Sequence, residues 1–457
     1  MNGNIGVGVL GIGGYGQQHL STIGTLQEAG ICRLAAVADP LAARHAGTVA
    51  ALRSAGVEVY NDAERLLRRD DVQAVFIATP IHLHAPQTVM ALQAGKHVYL
   101  EKPPCATLRE LERMEAAQQQ SGTLCAVGFQ MQTHPALRFL KRQLVQGAIG
   151  QVRRVWSSVR WRRTDAYYNR SLWAGCFRVG GQPVFDGPAT NALAHVVHAA
   201  LFLAGARESE WANIRRVRGA LLRARPIESY DTIYLEAATA EGVPVQLAFT
   251  HASPVEDEIV LRCAGDEGVA ELNWEGSVTL ALRGQTPQLH RFFHQSAVAS
   301  TLNFLQAVRA ADAPDAVAAS SDSASSDSAS GAAASSVDAS SVDASSDSAT
   351  AGARLATRLS DTRPFLQMVN GALQSSCGIH SFAAAQIERV ATDESHGYYQ
   401  VAGLDGDMKA FGNGLASSLP LLDKRCGRWL DVAQLAPGLS SAAPTAQPDD
   451  GQGEMSR

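Results

Sequence analysis

The stretch VGVLGIGGYGQQHL, residues 7–20, constrains the fold more than any other part of the chain. An apolar run with no polar face leads straight into Gly11, Gly13, Gly14, Tyr15 and Gly16, and an amphipathic pattern follows at once. Gly11, Gly13 and Gly16 have the GxGxxG spacing. In that arrangement the first glycine permits a tight turn, the second lets backbone N–H groups approach a pyrophosphate, and the third lets the helix lie against the strand. The helix N-terminus then favours phosphate charge. Such a loop needs a buried parallel strand behind it and a helix in front of it.

The next 110 or so residues repeat that alternation. Apolar runs at 5–11, 32–39, 57–60, 74–79, 97–102 and 124–129 are predicted strands, with amphipathic helical segments between them. The second run ends in Asp39, a little over 20 residues beyond Gly16, where a dinucleotide fold sets a carboxylate against the adenine ribose. That charge repels a 2′-phosphate and favours NAD; Arg44, one turn further on, keeps NADP as the alternative. The fifth run, HVYL, is apolar and delivers Glu101 and Lys102 at its carboxyl end, where open parallel sheets bind ligands. A lysine there can stabilise negative charge developing on a substrate oxygen. His82 and His84 point in different directions from a helix start and have no acidic or cysteine partner nearby, so no metal site is expected.

After a crossover helix near 135–146 the texture changes to closely spaced strand-like runs. The expected fold class is therefore an α/β Rossmann doubly wound parallel sheet followed by a C-terminal α+β domain with a large, mostly antiparallel open sheet. The expected division is 1–129 for the NAD(P)-binding domain, 130–436 for a substrate and oligomerisation domain, and 437–457 for a flexible tail. Residues 313–352 are almost entirely Ala, Ser and Asp, too poor in apolar area to offset chain entropy, and are expected to be a disordered insertion.

Composition narrows the partners. A net charge of −5 gives no field for recruiting nucleic acid or an anionic membrane. No run approaches the about 18 apolar residues that span a bilayer. The seven cysteines are scattered and never spaced CxxC, which fits reduced thiols and a cytoplasmic location.

Two longer matches then come together. IATPIHLHAPQTVMALQAGKHVYLEKPPC (77–105) and the glycine loop resemble the glucose–fructose oxidoreductase and inositol dehydrogenase (Gfo/Idh/MocA) family, with QGAIGQVRRV and LSDTRPFLQMVNGALQSS as further echoes. The resemblance implies a Rossmann domain followed by an α+β domain whose open sheet often forms a dimer or tetramer contact. It implies that Thr79, Pro80 and His84 lie beside the nicotinamide, and that Lys102, in the Glu101-Lys102-Pro103 signature, faces both nicotinamide and substrate hydroxyl.

The family's second-domain helix resembles GGQPVFDGPATNALAHVVHAALFLAG (180–205) in two registers. Counting from the glycines makes Asp186 the family Asp and puts Thr190 where its His stands. Counting back from LFLAG puts Asn191 and His195 at those places and His198 at the last acid. Asn191, His195, His198 and Phe202 recur at i, i+4, i+7 and i+11, one polar stripe on a helix otherwise apolar all round. The helix is expected to start at Pro188 with Thr190 or Asp186 as N-cap. The functional alternative for the stripe makes His195 a general base and Asn191 an orienting group; the bland one has these side chains satisfying one another in the core.

Weaker substrate-side candidates are Asp186, His198, Gln132, Tyr168, Trp173 and His251. Gln132 stands where relatives often carry arginine. The run WRRTDAYYNRSLWAG (161–175) mixes aromatics and arginines, as suits a sugar site or a partly exposed connection. The expected activity is NAD(P)-dependent oxidation of a secondary hydroxyl of a sugar, polyol or cyclitol. An oxidation–elimination glycosidase and a non-catalytic dinucleotide-binding regulator are the alternatives.

Overall fold

The computed structural model describes residues 4–313, 354–376, 378–393, 396–419 and 425–436. All but the first residue of the expected insertion, and the expected tail, lie outside the described residues.

The predicted N-terminal strands form β1 (Ile5–Leu10), β2 (Cys32–Ala38), β3 (Glu58–Tyr60), β4 (Ala74–Ile77), β5 (His97–Leu100) and β6 (Cys125–Val127). They pair in parallel in the order β3-β2-β1-β4-β5-β6. Every residue of β1, β4, β5 and β6 is buried, which is why these strands read as continuous apolar runs. The intervening helices are α1 (Gly16–Glu28), α2 (Ala46–Ser54), α3 (Ala63–Leu67), α4 (Ile81–Gln93) and α5 (Leu108–Ser121). α5 shows how local chemistry sets the ends: Thr107 and Glu110 form a reciprocal capping box, and Gly122 closes the helix at φ 69°.

α6 (Pro135–Val145) carries the chain into β7 (Val152–Arg160). There follow α7 (Asp165–Asn169), the small hairpin β8 (Arg178–Val179) and β9 (Gln182–Pro183), a π-helical turn at Pro188–Ala192, and α8 (Ala194–Ala204). The second sheet is completed by β10 (Ile214–Arg223), β11 (Thr232–Thr239), β12 (Pro244–Thr250), β13 (Val260–Gly265), β14 (Gly268–Asn273), β15 (Ser277–Leu282) and β16 (Gln288–Arg291). α9 (Ser296–Ala311) and α10 (Arg363–Ser375) come next, then β17 (Ile379–Ser381), the hairpin β18 (Ile387–Ala391) and β19 (Gly397–Val401), α11 (Leu404–Gly412) and β20 (Leu430–Asp431). Sheet order is β16-β15-β14-β13-β7-β12-β11-β10-β17, with β20 also on β10. β7–β12 and β10–β17 are parallel; the other pairs are antiparallel.

β10 escapes sequence patterning because arginines 215, 216 and 218 and Gly219 break its apolar alternation. The structure explains each kind of break. Arg218 faces Glu236 on β11 at 2.7 Å, and a Cβ on Gly219 would stand 2.6 Å from Ala372 Cβ of α10. The sheet is also less open than expected: α11 packs Leu404, Met408 and Phe411 onto Trp156, Ala220, Tyr234 and Ala248.

Candidate active site

The glycine loop has the geometry a pyrophosphate needs. A Cβ on Gly16 would stand 2.1 Å from the Gly11 carbonyl oxygen, so α1 starts in contact with the loop as glycine alone allows. Gly14 is at φ 50° with open space beside it. Asp39, nearly buried, accepts from the Ile12 N–H at 2.9 Å and the Leu41 N–H at 2.7 Å, fixing the end of β2 against the loop. Arg44 is exposed; its neighbour His45 is what lies against Gly13, with Nε2 2.9 Å from where a Cβ would be. The Tyr15 hydroxyl meets the Gln130 side chain, bridging the loop to the turn after β6.

Thr79 and Pro80 follow β4, with Pro80 at the start of α4. His84 is buried in that helix, between two backbone carbonyls. Nδ1 lies 2.8 Å from the Pro103 carbonyl and Nε2 2.7 Å from the Thr79 carbonyl. Burial favours the neutral ring, whose single N–H donates to one of these carbonyls, and His84 packs the Lys102-Pro103 turn against the end of β4. Glu101 has one carboxylate oxygen 3.0 Å from His19 Nε2, both side chains buried, and the other accepts from the Lys102 N–H. His19 and His45 were missed in the sequence; the one signal available was their nearness to the glycine loop and to Asp39.

Around Lys102 the two registers of the 180–205 segment resolve. The helix does not start at Pro188: a π-helical turn there is followed by Leu193 at φ −111°, and α8 proper begins at Ala194. Neither Thr190 nor Asp186 caps it; the Thr190 hydroxyl donates to the Phe185 carbonyl. Asn191 therefore lies off the α8 stripe. Its carbonyl accepts from Lys102 Nζ at 3.0 Å, while its side-chain amide donates to Asp186 at 2.9 Å. The other Asp186 oxygen accepts from the Gly175 N–H at 2.7 Å.

Both registers contribute: Asp186 from the first, Asn191 and His195 from the second. Burial raises the Asp186 carboxyl above its usual range, against the opposing pull of Gly175, Arg170, Asn191 and Lys102. Burial likewise lowers the Lys102 ammonium, with Glu101 and Asp186 resisting. His195 is half-buried, edge-on to Phe129, and burial plus the Lys102 and His198 charges hold it well below its usual pKa.

His198 belongs to the core. It stacks on Phe129 with ring centres 4.0 Å apart, contacts Trp211, and its Nδ1 meets the Gln132 amide at 3.2 Å. Burial pushes its pKa down to about 3. Gln132 in turn lines a cavity of about 310 Å³ with Arg138, Trp211, Asn303 and Arg354, whose walls include none of Lys102, Asp186 and His195. Tyr168 is buried with its hydroxyl 2.9 Å from His251 Nδ1, and Trp173 lies under the Arg170 guanidinium.

A six-stranded parallel sheet with a phosphate-shaped glycine loop, joined to a ten-stranded mixed sheet, defines a two-sheet dinucleotide-binding protein. Residues 5–129 match the oxidoreductase family described as having an NAD-binding Rossmann fold, GFO_IDH_MocA. Over residues 5–129 the chain thus carries the NAD-binding Rossmann domain of the Gfo/Idh/MocA oxidoreductase family. It is 26% identical over 325 residues to a scyllo-inositol 2-dehydrogenase (NAD(+)) of Bacillus subtilis, covering 67% of this chain and 86% of that one. It is 28% identical over 151 residues to a 4-carboxy-2-hydroxymuconate-6-semialdehyde dehydrogenase of a Sphingobium species, covering 31% of this chain and 44% of that relative. A levoglucosan dehydrogenase solved with NADH and L-sorbose shares the fold at a TM-score of 0.57 and 21% identity, over 68% of this chain and 90% of that one. Among the described residues no helix is long and apolar enough to cross a membrane.

Proposed function

We propose that this protein oxidises a secondary hydroxyl of a sugar, polyol or cyclitol by hydride transfer to a nicotinamide cofactor, with NAD preferred over NADP. The observation that carries the reading is the gathering of Lys102, Asp186, Asn191 and His195 at the carboxyl end of β5, on the side of the sheet where the glycine loop opens. Asp39, just beyond the end of β2, supports NAD, because a carboxylate at that point of a dinucleotide fold repels a 2′-phosphate. The inositol and levoglucosan dehydrogenases among the similar proteins support a polyhydroxylated substrate.

The residues present suit the cofactor: the open side of Gly14, the backbone around Gly16 and the Asp39 carboxylate would hold it. NAD, when bound, supplies the hydride acceptor. Lys102 would then donate to the substrate oxygen and stabilise the charge that grows on it as the proton leaves. His195 would take that proton, and the surroundings that hold it neutral also lower its affinity for the proton it receives. Asn191 sets the position of both other groups, its carbonyl on Lys102 and its amide on Asp186.

The test is NADH formation across a panel of sugars and inositols, repeated with Lys102→Ala. Turnover should fall by about 10²-fold or more while NAD affinity stays within about twofold. Equal turnover in the variant would remove Lys102 from the chemistry.

A further inference from the structure

Residues 161–175 form a ladder in which guanidinium groups alternate with aromatic rings. Arg163 lies 4.0 Å from the Trp161 ring centre and 4.9 Å from that of Tyr167, and Arg170 lies 3.6 Å from Tyr167 and 5.0 Å from Trp173. The far end of the ladder is tied to the site, since the Gly175 N–H donates to Asp186. From this arrangement we infer that the substrate carries an oxyanion, a carboxylate or a phosphate on the sugar, received by Arg163 and Arg170. The inference rests on the sugar-oxidising reading of the site given above.

Three observations carry it. The first is pairing. Three arginines nearby have carboxylate partners: Arg160 holds Asp257 at 2.7 Å, and Arg225 and Arg389 share Asp165, while Arg162 donates to the Pro254 carbonyl. Among the described residues Arg163 and Arg170 have no such partner; each donates to a nearby backbone carbonyl, and Arg163 Nε is buried without an acceptor.

The second is position. Arg170 lies over Tyr167 and over Trp173, which is two residues before the Gly175 that bonds Asp186, and its charge bears on Lys102 and Asp186. Asp186 cannot neutralise the cluster, because it is buried and already holds Gly175 and Asn191. Lys102 and Arg170 thus bear on one committed carboxyl group, with Arg163 the next step along the ladder, a field that draws in an anion.

The third is preorganisation. Arg163 and Arg170 each lie over two rings, which restrains the guanidinium, and its planar fork matches a carboxylate or phosphate with two parallel hydrogen bonds. A neutral sugar needs the aromatic faces but offers nothing to the fork.

The experiment uses the full chain with NAD and three substrates that share one ring: a neutral hexose, its uronate and its 6-phosphate. The expected result is kcat/KM at least about tenfold higher for the uronate or the phosphate than for the hexose. The arm that wins identifies the oxyanion. Arg170→Gln should raise KM for that substrate by about 10- to 100-fold more than it raises KM for the hexose; Arg170→Lys should recover part of the difference. Equal kcat/KM for all three substrates, or a loss in Arg170→Gln that is the same for hexose and anion, overturns the inference and leaves the sugar-oxidising reading standing. Failure of all three to be turned over, or to raise the melting temperature in the presence of NADH, overturns that reading and the inference with it.

Discussion

His198 lies face to face with Phe129 at an interplanar angle of 3°, in contact with Trp211 and 1% exposed. Its pKa is about 3 in the folded protein, against about 6.5 in an unfolded chain. As pH falls from 6.5 towards 3, the unfolded state takes up a proton that the native state refuses. The stability present above pH 6.5 is therefore lost on acidification, at about 1.4 kcal/mol per pH unit for this one group. Burial gives His134, His195 and His251 depressed values too, so their contributions have the same sign. Urea unfolding of His198→Gln between pH 4 and 6.5 should show a slope shallower by about one proton; an unchanged slope would assign the acid lability to the other histidines. Periodicity found the stripe that His198 shares with His195 and could not say which of the two faces the cleft, because i+3 separation on a helix spans both. The positions of Gly16, Asp39 and Lys102 just beyond the ends of strands were legible, since backbone geometry there dictates them. His19 and His45 act through contacts across the fold, which no local pattern records.

The element that positions His195 has an unusual anchor. α8 ends in carbonyls that lack intrahelical donors, and the buried Lys141 of α6 supplies them, donating to Phe202 at 2.6 Å and to Gly205 at 2.5 Å. Burial lowers this ammonium to about 8, so it remains mainly charged at neutral pH and works as a C-terminal cap. Lys141→Met keeps the volume and removes the donors, which should cost about 1–3 kcal/mol, seen as a lower urea midpoint at unchanged m-value. A loss under about 0.5 kcal/mol would mean that the last-turn carbonyls find other donors. In the sequence Lys141 sits in an amphipathic helix like any surface lysine. Its burial depends on the crossing of α6 and α8, as the π turn ahead of α8 depends on Lys102 reaching the Asn191 carbonyl.

The chain makes two long-range returns, and each gives a whole-molecule test. After β16, and before β17 and β20 are added to the second sheet, it goes back to the first. Phe304 of α9 packs edge-on to Phe76 and Tyr99, and Ser300 bonds the Tyr99 hydroxyl at 2.9 Å. A sequence read in order assigned this segment to the second domain, because nothing local reveals where an amphipathic helix will dock. Later, α11 covers the outer face of the second sheet over β7, β10, β11 and β12. A dimer or tetramer contact of the kind expected for that face is left the strands β13–β16.

Phe304 and Phe411 are both fully buried, so Phe304→Ala and Phe411→Ala should each cost about 3–5 kcal/mol. Their effects on the cofactor should differ. Tyr99, which Phe304 supports, contacts His19, and His19 meets Glu101 directly beneath the glycine loop and beside Lys102. Phe411 touches Tyr234 and the Arg154 side chain on the far side of the other sheet. NAD titration at a temperature where both variants are folded should therefore show weaker binding for Phe304→Ala alone, by about tenfold if the His19–Glu101 pair shifts. Equal affinity in the two variants would mean that the glycine loop holds its shape without α9.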